Sequence, residues 1–280
     1  MSSMPMPAPS NMENAALTKD ILVTGANGGM GHATVEALCA QGFRVFALDR
    51  QIGEQKENVI PIEADITSEA DVSAAVETVR GYTDSLCAIV HFAGIYMLDS
   101  LVEMDERDFK RIWDVNLYGC FFVNRAFLPL LKQGSRILIT TSELAPLAPL
   151  PFTGIYAVTK GALDRYAYSL RMELQLLGIH VSVLRAGAVN TGMLHASTTA
   201  LERFCQKTSH YTCNADRFKR IVDRVEARHI APEQLTRRVL RILKKKHPAF
   251  AYHINRNPLL LLMNALPSRV QFWVIKMILK

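Results

Sequence analysis

The chain has 280 residues, of which 49% are apolar and 21% charged, a composition that predicts a globular protein with a substantial core rather than a disordered one. Its five cysteines are scattered without C-x-x-C spacing, which fits neither a disulfide framework nor a zinc site and favours a reducing, cytoplasmic compartment. Residues 161–280 carry 20 Lys and Arg against 7 Asp and Glu. This basic half invites nucleic acid or an anionic membrane as partner, but no nucleic-acid-binding motif accompanies it, so a solvated surface is the favoured explanation.

The first eighteen residues are rich in Met, Pro, Ser and Asn, with neither a basic start nor a continuous apolar run. This composition predicts a disordered leader over residues 1–18, not a secretory signal.

A glycine-rich turn follows the first predicted strand, over residues 20–23. The turn spans residues 24–31 and leads directly into a predicted helix. In this context Gly25 permits a tight turn, whereas Gly29 and Gly31 allow a pyrophosphate and the helix start to approach closely. The alternative is an ordinary glycine-rich turn; the strand, turn and helix together favour dinucleotide binding.

The second predicted strand, over residues 44–48, ends in Asp49 and Arg50. An acidic residue here is placed to accept hydrogen bonds from the adenosine ribose and to repel a 2′-phosphate, which favours NAD. Arg50 beside it would instead neutralise that phosphate, so NADP stays open. A third strand over residues 59–62 leads to Asp65 and Ile66, and a helix is predicted over residues 71–80.

The fourth predicted strand, over residues 86–90, is followed by His91, Phe92, Ala93 and Gly94. Small residues after a central strand let the backbone pass close to a ligand. The residue type of His91 would suit a catalytic base. The favoured interpretation is a packed residue at the end of a strand, so no chemical role is assigned to it.

A long helix predicted from residue 106 to 131 carries Asn116 between apolar neighbours, either as a structural plug or as a site residue. The fifth predicted strand, over residues 136–141, delivers Ser142 at its carboxyl end, the edge where open α/β sheets bind ligands.

Tyr156 and Lys160 stand one turn apart on the next predicted helix. A nearby ammonium stabilises the phenolate and lowers the pKa of tyrosine from about 10, so this pair can exchange a proton with an alcohol or ketone. Taken alone, the same spacing is typical of neighbours on a solvated helix surface.

A sixth strand over residues 180–184 ends in the segment 185–191. The alternation of strands and helices predicts an α/β protein with a single Rossmann-type doubly wound parallel sheet. We expect a catalytic domain over residues 19–257 with an apolar helical lid between residues 191 and 232, and a hydrophobic extension over residues 258–280.

Residues 20–191 resemble the short-chain dehydrogenase/reductase family, and the long extension is similar to that of its retinol and hydroxysteroid dehydrogenase branch. The resemblance implies a catalytic tetrad of Asn116, Ser142, Tyr156 and Lys160. Besides Tyr156 and Lys160, it implies nicotinamide dinucleotide contacts at Gly25, Asn27, Gly28, Gly29, Met30, Gly31, Asp49, Arg50, Asp65, Ile66, Ala93, Gly94, Val189 and Thr191. His91-Phe92 replaces the family's asparagine pair, and Ala186 replaces its usual proline.

The implied activity is hydride transfer between a nicotinamide (NAD, or NADP) and a hydrophobic alcohol, ketone or aldehyde of steroid, retinol or bile-acid type. Tyr156 would be the acid/base, Lys160 would lower its pKa together with the oxidised nicotinamide, Ser142 would bind the substrate oxygen, and Asn116 would hold a water. The alternative is a catalytically weak dinucleotide-sensing protein on the same fold.

The extension contains two short apolar runs with basic residues nearby. They predict either peripheral contact with an anionic membrane or packing on the substrate cleft or a neighbouring subunit. Since this family is often dimeric or tetrameric, we expect a homo-oligomer.

Overall fold

A central parallel sheet organises the fold. The computed structural model describes residues 19–226 and 228–280, and the leader predicted over residues 1–18 lies outside them. Within the described residues, seven parallel strands run in the order β3-β2-β1-β4-β5-β6-β7. They are β1 (Asp20–Thr24), β2 (Arg44–Asp49), β3 (Val59–Glu63), β4 (Leu86–His91), β5 (Leu131–Ser142), β6 (His180–Ala186) and β7 (Ala251–Ile254).

Helices cover both faces of this sheet, which confirms the predicted doubly wound α/β fold. They are α1 (Gly29–Cys39), α2 (Glu69–Arg80), α3 (Glu106–Trp113), α4 (Gly119–Phe127), α5 (Gly154–Leu174), α6 (Gly192–Lys207), α7 (Thr212–Glu226), α8 (Pro232–Leu243), α9 (Pro258–Ala265) and α10 (Ser268–Leu279). Helices α1 and α8 pack on one face, and α2, α4 and α5 pack on the other. The inner strands are buried on both sides, which explains their continuous Ile, Leu and Val runs.

The strand order reverses between β1 and β4, which places a crevice at the carboxyl ends of these strands. The β1–α1 connection and the β4–α3 connection leave this point in opposite directions. In open α/β sheets such a switch point is where a nucleotide binds. The turn after β1 and the segment after β4 therefore border the crevice where a nucleotide would bind.

The predicted end of one helix and the predicted number of strands need correction. The helix expected to reach residue 131 ends at Phe127, because Pro129 lacks an amide hydrogen and sits in a short 3₁₀ turn; β5 then begins at Leu131. The sequence also predicted six strands and missed β7. That strand is four residues long and buries only Tyr252 fully, so it has no apolar run that a pattern would detect.

A π-helical turn over Asp114–Tyr118 separates α3 from α4. Such a turn holds one residue more than the corresponding α-helical turn and is frequent at functional sites. Asn116 lies at its centre and is 1% exposed.

Two pairs of helices close the carboxyl edge of the sheet. Helices α6 and α7 form the lid that the sequence predicted, and α9 and α10 form a second layer that we call the cover. Within the residues described, no helix combines the length and apolar character required to cross a bilayer.

Candidate active site

The glycine turn between β1 and α1 packs directly on the end of β4. Gly25 has a φ of +68°, and a Cβ there would lie 2.5 Å from the backbone nitrogen of Ala93. A Cβ on Gly31 would overlap the carbonyl oxygen of Gly25. Both positions therefore require glycine, because a side chain at Gly25 would push the turn away from the end of β4 and one at Gly31 would push the helix away from the turn.

The N-terminus of α1 has the features of an anion site. The Gly28 amide donates to the carbonyl of Gly25 (3.2 Å), and Gly28 is the N-cap residue immediately before the helix. Among the described residues, no side chain caps this end and no acidic residue lies in its first turn. The first amides of a helix have no intrahelical partner, so those of Gly29, Met30 and Gly31 suit a pyrophosphate.

The predicted adenosine-binding positions lie at the ends of β2 and β3. The Asp49 carboxylate accepts hydrogen bonds from the amides of Asn27 (3.0 Å) and Arg50 (2.8 Å). This fixes the carboxylate beside the glycine turn, while the Arg50 side chain is exposed. Asp65 accepts from the amide and the hydroxyl of Thr67, and Ile66 is buried. These positions therefore lie where the adenosine half of a dinucleotide would bind, and the role of each side chain stays a prediction.

The segment after β4 is held by the carboxamide of Asn116. The Asn116 Oδ1 accepts from the amide of Ile95 (2.8 Å), and its Nδ2 donates to the Ile95 carbonyl (3.0 Å) and to Thr159 Oγ1 (3.2 Å). A Cβ on Gly94 would lie 3.1 Å from Lys160 Nζ and 3.2 Å from Asn116 Oδ1. Asn116 thus clamps this segment and reaches the helix of Tyr156, so it is both a structural plug and a neighbour of the site.

Tyr156 and Ser142 meet at the carboxyl edge of the sheet. Ser142 ends β5, and its hydroxyl is hydrogen-bonded to the phenol of Tyr156. Burial raises the pKa of Tyr156 to about 12, and the Ser142 hydrogen bond offsets this only in part. The Tyr96 ring packs on the Tyr156 ring with centroids 4.7 Å apart. Ser142 and Tyr156 are therefore both buried and held in place.

Lys160 is buried near Tyr156 without contacting the phenol oxygen. Its Nζ donates to the carbonyl of Thr140 (3.5 Å) and lies 5.9 Å from the centroid of the Tyr156 ring. Burial lowers the pKa of Lys160 to about 8. In the chain without a cofactor, burial outweighs the Ser142 hydrogen bond and raises the pKa of Tyr156, so its lowering by Lys160 together with an oxidised nicotinamide stays a prediction.

The loop after β6 reaches the glycine turn. A Cβ on Gly29 would lie 2.8 Å from Thr191 Cγ2, so these two residues touch. Val189 pairs with Ile230 in an isolated parallel bridge, which anchors the loop between β6 and α6. The structure therefore brings the ends of β1, β4, β5 and β6 to one crevice.

His91 is packed inside the sheet, as the sequence favoured. It is 3% exposed, its Nε2 is 2.9 Å from Asn124 Oδ1, and its Nδ1 is 3.3 Å from Thr24 Oγ1. Burial lowers its pKa to about 4, so the ring is neutral at physiological pH.

This buried ring is expected to make stability depend on pH. As the pH decreases below 6.5, His91 becomes protonated in the unfolded chain, whereas in the native chain it stays neutral until about pH 4. The free energy of unfolding should therefore decrease as the pH is lowered through this range, by up to about 1.4 kcal/mol per pH unit. Urea unfolding at pH 7 and pH 5 measures the effect. His91→Asn should flatten the dependence, whereas His32→Asn, at an exposed position, should leave it intact; an unchanged slope in His91→Asn would contradict this account.

An apolar cavity of about 300 Å³ opens beside Ser142 and Tyr156. Helices α6 and α7 contribute Met193, Phe218, Ile221 and Val222, and the cover contributes Leu259, Leu260, Met263, Ile275, Ile278 and Leu279. Among the described lining residues, Glu143 is the only charged one. Packing of the extension on the cleft, one of the two predicted alternatives, is thus observed.

Two residues of the site escaped the sequence interpretation. Tyr96, two positions after Gly94, packs against Tyr156 with the rings tilted by 53°. Glu143 directly follows Ser142, accepts the Asn257 amide (2.6 Å), and has its pKa raised by burial. Their adjacency to predicted site residues was the only available signal, because the contacts join segments far apart in the chain.

The crevice, the glycine turn and the buried Ser, Tyr and Lys define a dinucleotide-dependent class of protein. A family model described as short chain dehydrogenase matches residues 19–202. The chain belongs to the short-chain dehydrogenase/reductase family, which confirms the predicted resemblance.

Three curated relatives show the range of similar proteins. The chain is 31% identical over 180 residues to an NADPH-dependent 1-acyldihydroxyacetone phosphate reductase of Schizosaccharomyces pombe, a match that covers 62% of this chain and 60% of the relative. It is 25% identical over 231 residues to a 3-ketodihydrosphingosine reductase of Bacteroides thetaiotaomicron, covering 82% and 85%. It is 31% identical over 189 residues to mouse estradiol 17-beta-dehydrogenase 2, covering 62% and 49%.

A solved structure shares the fold. A short chain dehydrogenase from Burkholderia cenocepacia in complex with NADP superposes with a TM-score of 0.70 at 22% identity. The alignment covers 94% of this chain and 98% of that one, so the likeness extends beyond the central sheet.

Proposed function

We propose that the protein is an NAD(P)-dependent oxidoreductase that transfers hydride between the nicotinamide and a hydrophobic alcohol, ketone or aldehyde. The observation that carries the proposal is one crevice that joins an uncapped helix N-terminus, a buried Tyr156 hydrogen-bonded to Ser142, and an apolar cavity. The bound nicotinamide would supply or accept the hydride and, when oxidised, a positive charge that favours the phenolate.

The chain's own residues divide the remaining work. Tyr156 exchanges the proton with the substrate oxygen, and Ser142 donates a hydrogen bond to the same oxygen. Lys160 would hold the cofactor ribose, and it contributes positive charge near the phenol. Asn116 fixes the backbone at Ile95 and holds a water that links Lys160 to solvent.

Asp49 supports a preference for NAD, because its carboxylate is fixed at the end of β2 by the Asn27 and Arg50 amides. Asp49→Ser should raise kcat/KM with NADPH relative to NADH by roughly tenfold or more, since it removes a charge that repels the 2′-phosphate. Steady-state rates with both cofactors measure the ratio. Glu63→Ser, at the end of β3, is the control with the same loss of charge; an equal ratio in both variants would reject the preference.

The cavity supports the proposed substrate class, because its lining is apolar apart from Glu143 and hydroxyl groups. Steroid-, retinol- and bile-acid-like molecules fit this character. The relatives named for estradiol, 3-ketodihydrosphingosine and 1-acyldihydroxyacetone phosphate support a hydrophobic substrate. A panel of steroids, retinoids, long-chain ketones and small polar sugars, run with NADH and NADPH side by side, tests the proposal. Turnover of sugars alone would reject the substrate class.

The second candidate is a dinucleotide sensor with weak catalysis. It shares the crevice, and the raised pKa of Tyr156 in the chain alone is the observation that favours it. Tight NADH binding without turnover of any panel member would select the sensor.

A homo-oligomer is also part of the proposal. Val158, Tyr168 and Met172 form an exposed apolar face on α5, and Tyr118 and Phe121 extend it towards α4. A second copy of this face would cover it. Sedimentation that finds a monomer at micromolar concentration would contradict this assembly.

We further propose a cytoplasmic location with peripheral membrane contact through residues 258–280. All five cysteines are free thiols, which supports a reducing compartment. The exposed apolar side chains of the cover support the membrane contact.

A further inference from the structure

The cover formed by α9 and α10 is apolar on both sides. Its inner side chains line the catalytic cavity. On its outer side Leu262, Phe272, Trp273 and Met277 are each 60–69% exposed. Single exposed apolar residues are ordinary, but a contiguous group of large ones marks an interaction surface.

The outer side of α10 combines this apolar group with positive charge. Arg269, Phe272, Trp273, Lys276, Met277 and Lys280 recur at intervals of three, one, three, one and three residues, which places them on one face of the helix. All six are exposed, and the sequence contains no Asp or Glu after Glu233. Aromatic and apolar side chains flanked by basic ones are typical of a helix that lies in the interface of an anionic bilayer.

The cover is also thin. Leu259 and Ile278 line the cavity, yet they are 55% and 49% exposed, so single side chains separate the substrate space from the outside. A bilayer would contact these same side chains from outside. The substrate cavity and the outer apolar surface are therefore adjacent across one layer of residues.

A few polar contacts fasten the cover. Glu143 accepts the Asn257 amide (2.6 Å), Asn264 Oδ1 accepts the Ala148 amide (2.8 Å), and Asn214 Nδ2 donates to the Leu279 carbonyl (2.6 Å). Among the described residues, those of the cover that line the cavity are apolar, and a lipid environment offers equivalent contacts. Separation of the two helices on a bilayer therefore leaves few polar groups without partners.

We propose that the outer face of the cover docks on an anionic lipid bilayer and that the substrate enters the catalytic cavity from that bilayer, between Leu259 and Ile278. The proposal rests on the proposed function in requiring a hydrophobic substrate. A second copy of the chain is a poorer occupant, because two faces that each carry Arg269, Lys276 and Lys280 repel one another. For the same substrate, entry through the cover avoids transfer of an apolar molecule through water.

Docking is tested by flotation with phosphatidylcholine vesicles, with and without phosphatidylserine. The protein should partition onto the anionic vesicles and be released by salt. The double variant Phe272→Ser/Trp273→Ser should bind them roughly tenfold more weakly or worse, since these residues supply most of the inserted apolar area. Leu176→Ser/Leu177→Ser is the matched control, because these exposed leucines precede β6 and lie at the opposite edge of the sheet.

Equal flotation of the two double variants, or a wild-type protein that stays in solution, would overturn docking. The wild-type protein could also self-associate without binding vesicles, and the Phe272 and Trp273 substitutions could abolish this self-association. That result would assign the face to a second copy of the chain and would overturn docking as well. Thermal unfolding of both variants checks that they are folded.

Entry of the substrate from the bilayer is tested with two forms of a ketone that differ in chain length. The short-chain form is soluble in water, and the long-chain form is embedded in vesicles. Phe272→Ser/Trp273→Ser should retain kcat/KM on the soluble form and lose roughly tenfold on the embedded form. Equal losses, or none, would overturn the loading route. If the wild-type protein turned over neither form, the proposed function and the loading route would both fail, whereas docking would stand on flotation alone.

Discussion

Tyr156→Phe is expected to lower kcat by about 10²- to 10⁴-fold while dinucleotide binding persists. The phenol oxygen is the only part removed, and it is the group hydrogen-bonded to Ser142 at the cavity. The ring stays, so its contact with Tyr96 and the shape of the cavity stay as well. The loss should therefore fall on proton transfer, corresponding to about 3–5 kcal/mol in the barrier.

The measurement is steady-state turnover of the best panel substrate, with NADH binding followed by fluorescence. Tyr166→Phe is the matched control, because Tyr166 lies on the same helix and its hydroxyl accepts from Asn124 Nδ2 (3.2 Å) away from the cavity. Turnover in Tyr156→Phe equal to that of the control would end the assignment of Tyr156 as acid/base.

Asp164→Ala is expected to lower the free energy of unfolding by about 3–5 kcal/mol. Asp164, on α5, accepts two hydrogen bonds from the Arg185 guanidinium on β6 (2.9 and 2.7 Å) and one from Thr141 on β5 (3.3 Å). The side chains of the pair are 9% and 16% exposed, so removal of the carboxylate leaves a cation buried without a partner. This pair also fastens the helix of Tyr156 to the sheet.

Thermal unfolding should show the loss as a decrease in Tm of roughly 6–20 °C. Glu106→Gln, which breaks an exposed pair with Lys110, should cost less than about 1 kcal/mol. Asp164→Leu/Arg185→Met should recover much of the stability, because it removes both charges together. A loss in Asp164→Ala as small as that in Glu106→Gln would show that the pair contributes little.

Most of the fold could be predicted because its strands are continuous apolar runs. β1, β4 and β6 bury nearly every side chain, and such runs are visible without structural knowledge. β7 has no comparable run. It is held mainly by backbone pairing with β6, including the Val183 amide to the Phe250 carbonyl, and backbone pairing leaves little trace in side-chain identity.

The candidate site was predictable where residue type carries the chemistry. Glycines in a turn, a serine at a strand end and a tyrosine four residues before a lysine are visible in the chain. The electrostatics were not visible, because the pKa of Tyr156 depends on burial by distant segments. Glu143 was missed for the same reason: its partner, the Asn257 amide, is 114 residues away.

The π-helical turn between α3 and α4 makes this part of the chain sensitive to its length. Each residue of a regular α-helix turns it by ~100°, so loss of one residue between positions 114 and 118 would straighten the turn and rotate Asn116 away from Ile95. The helix would survive such a deletion, but the clamp on the segment after β4 would not. In an alignment of this chain with a relative, the number of residues between positions 114 and 118 is therefore the informative feature. A gap of one residue there would affect the position of Asn116 more than many substitutions would.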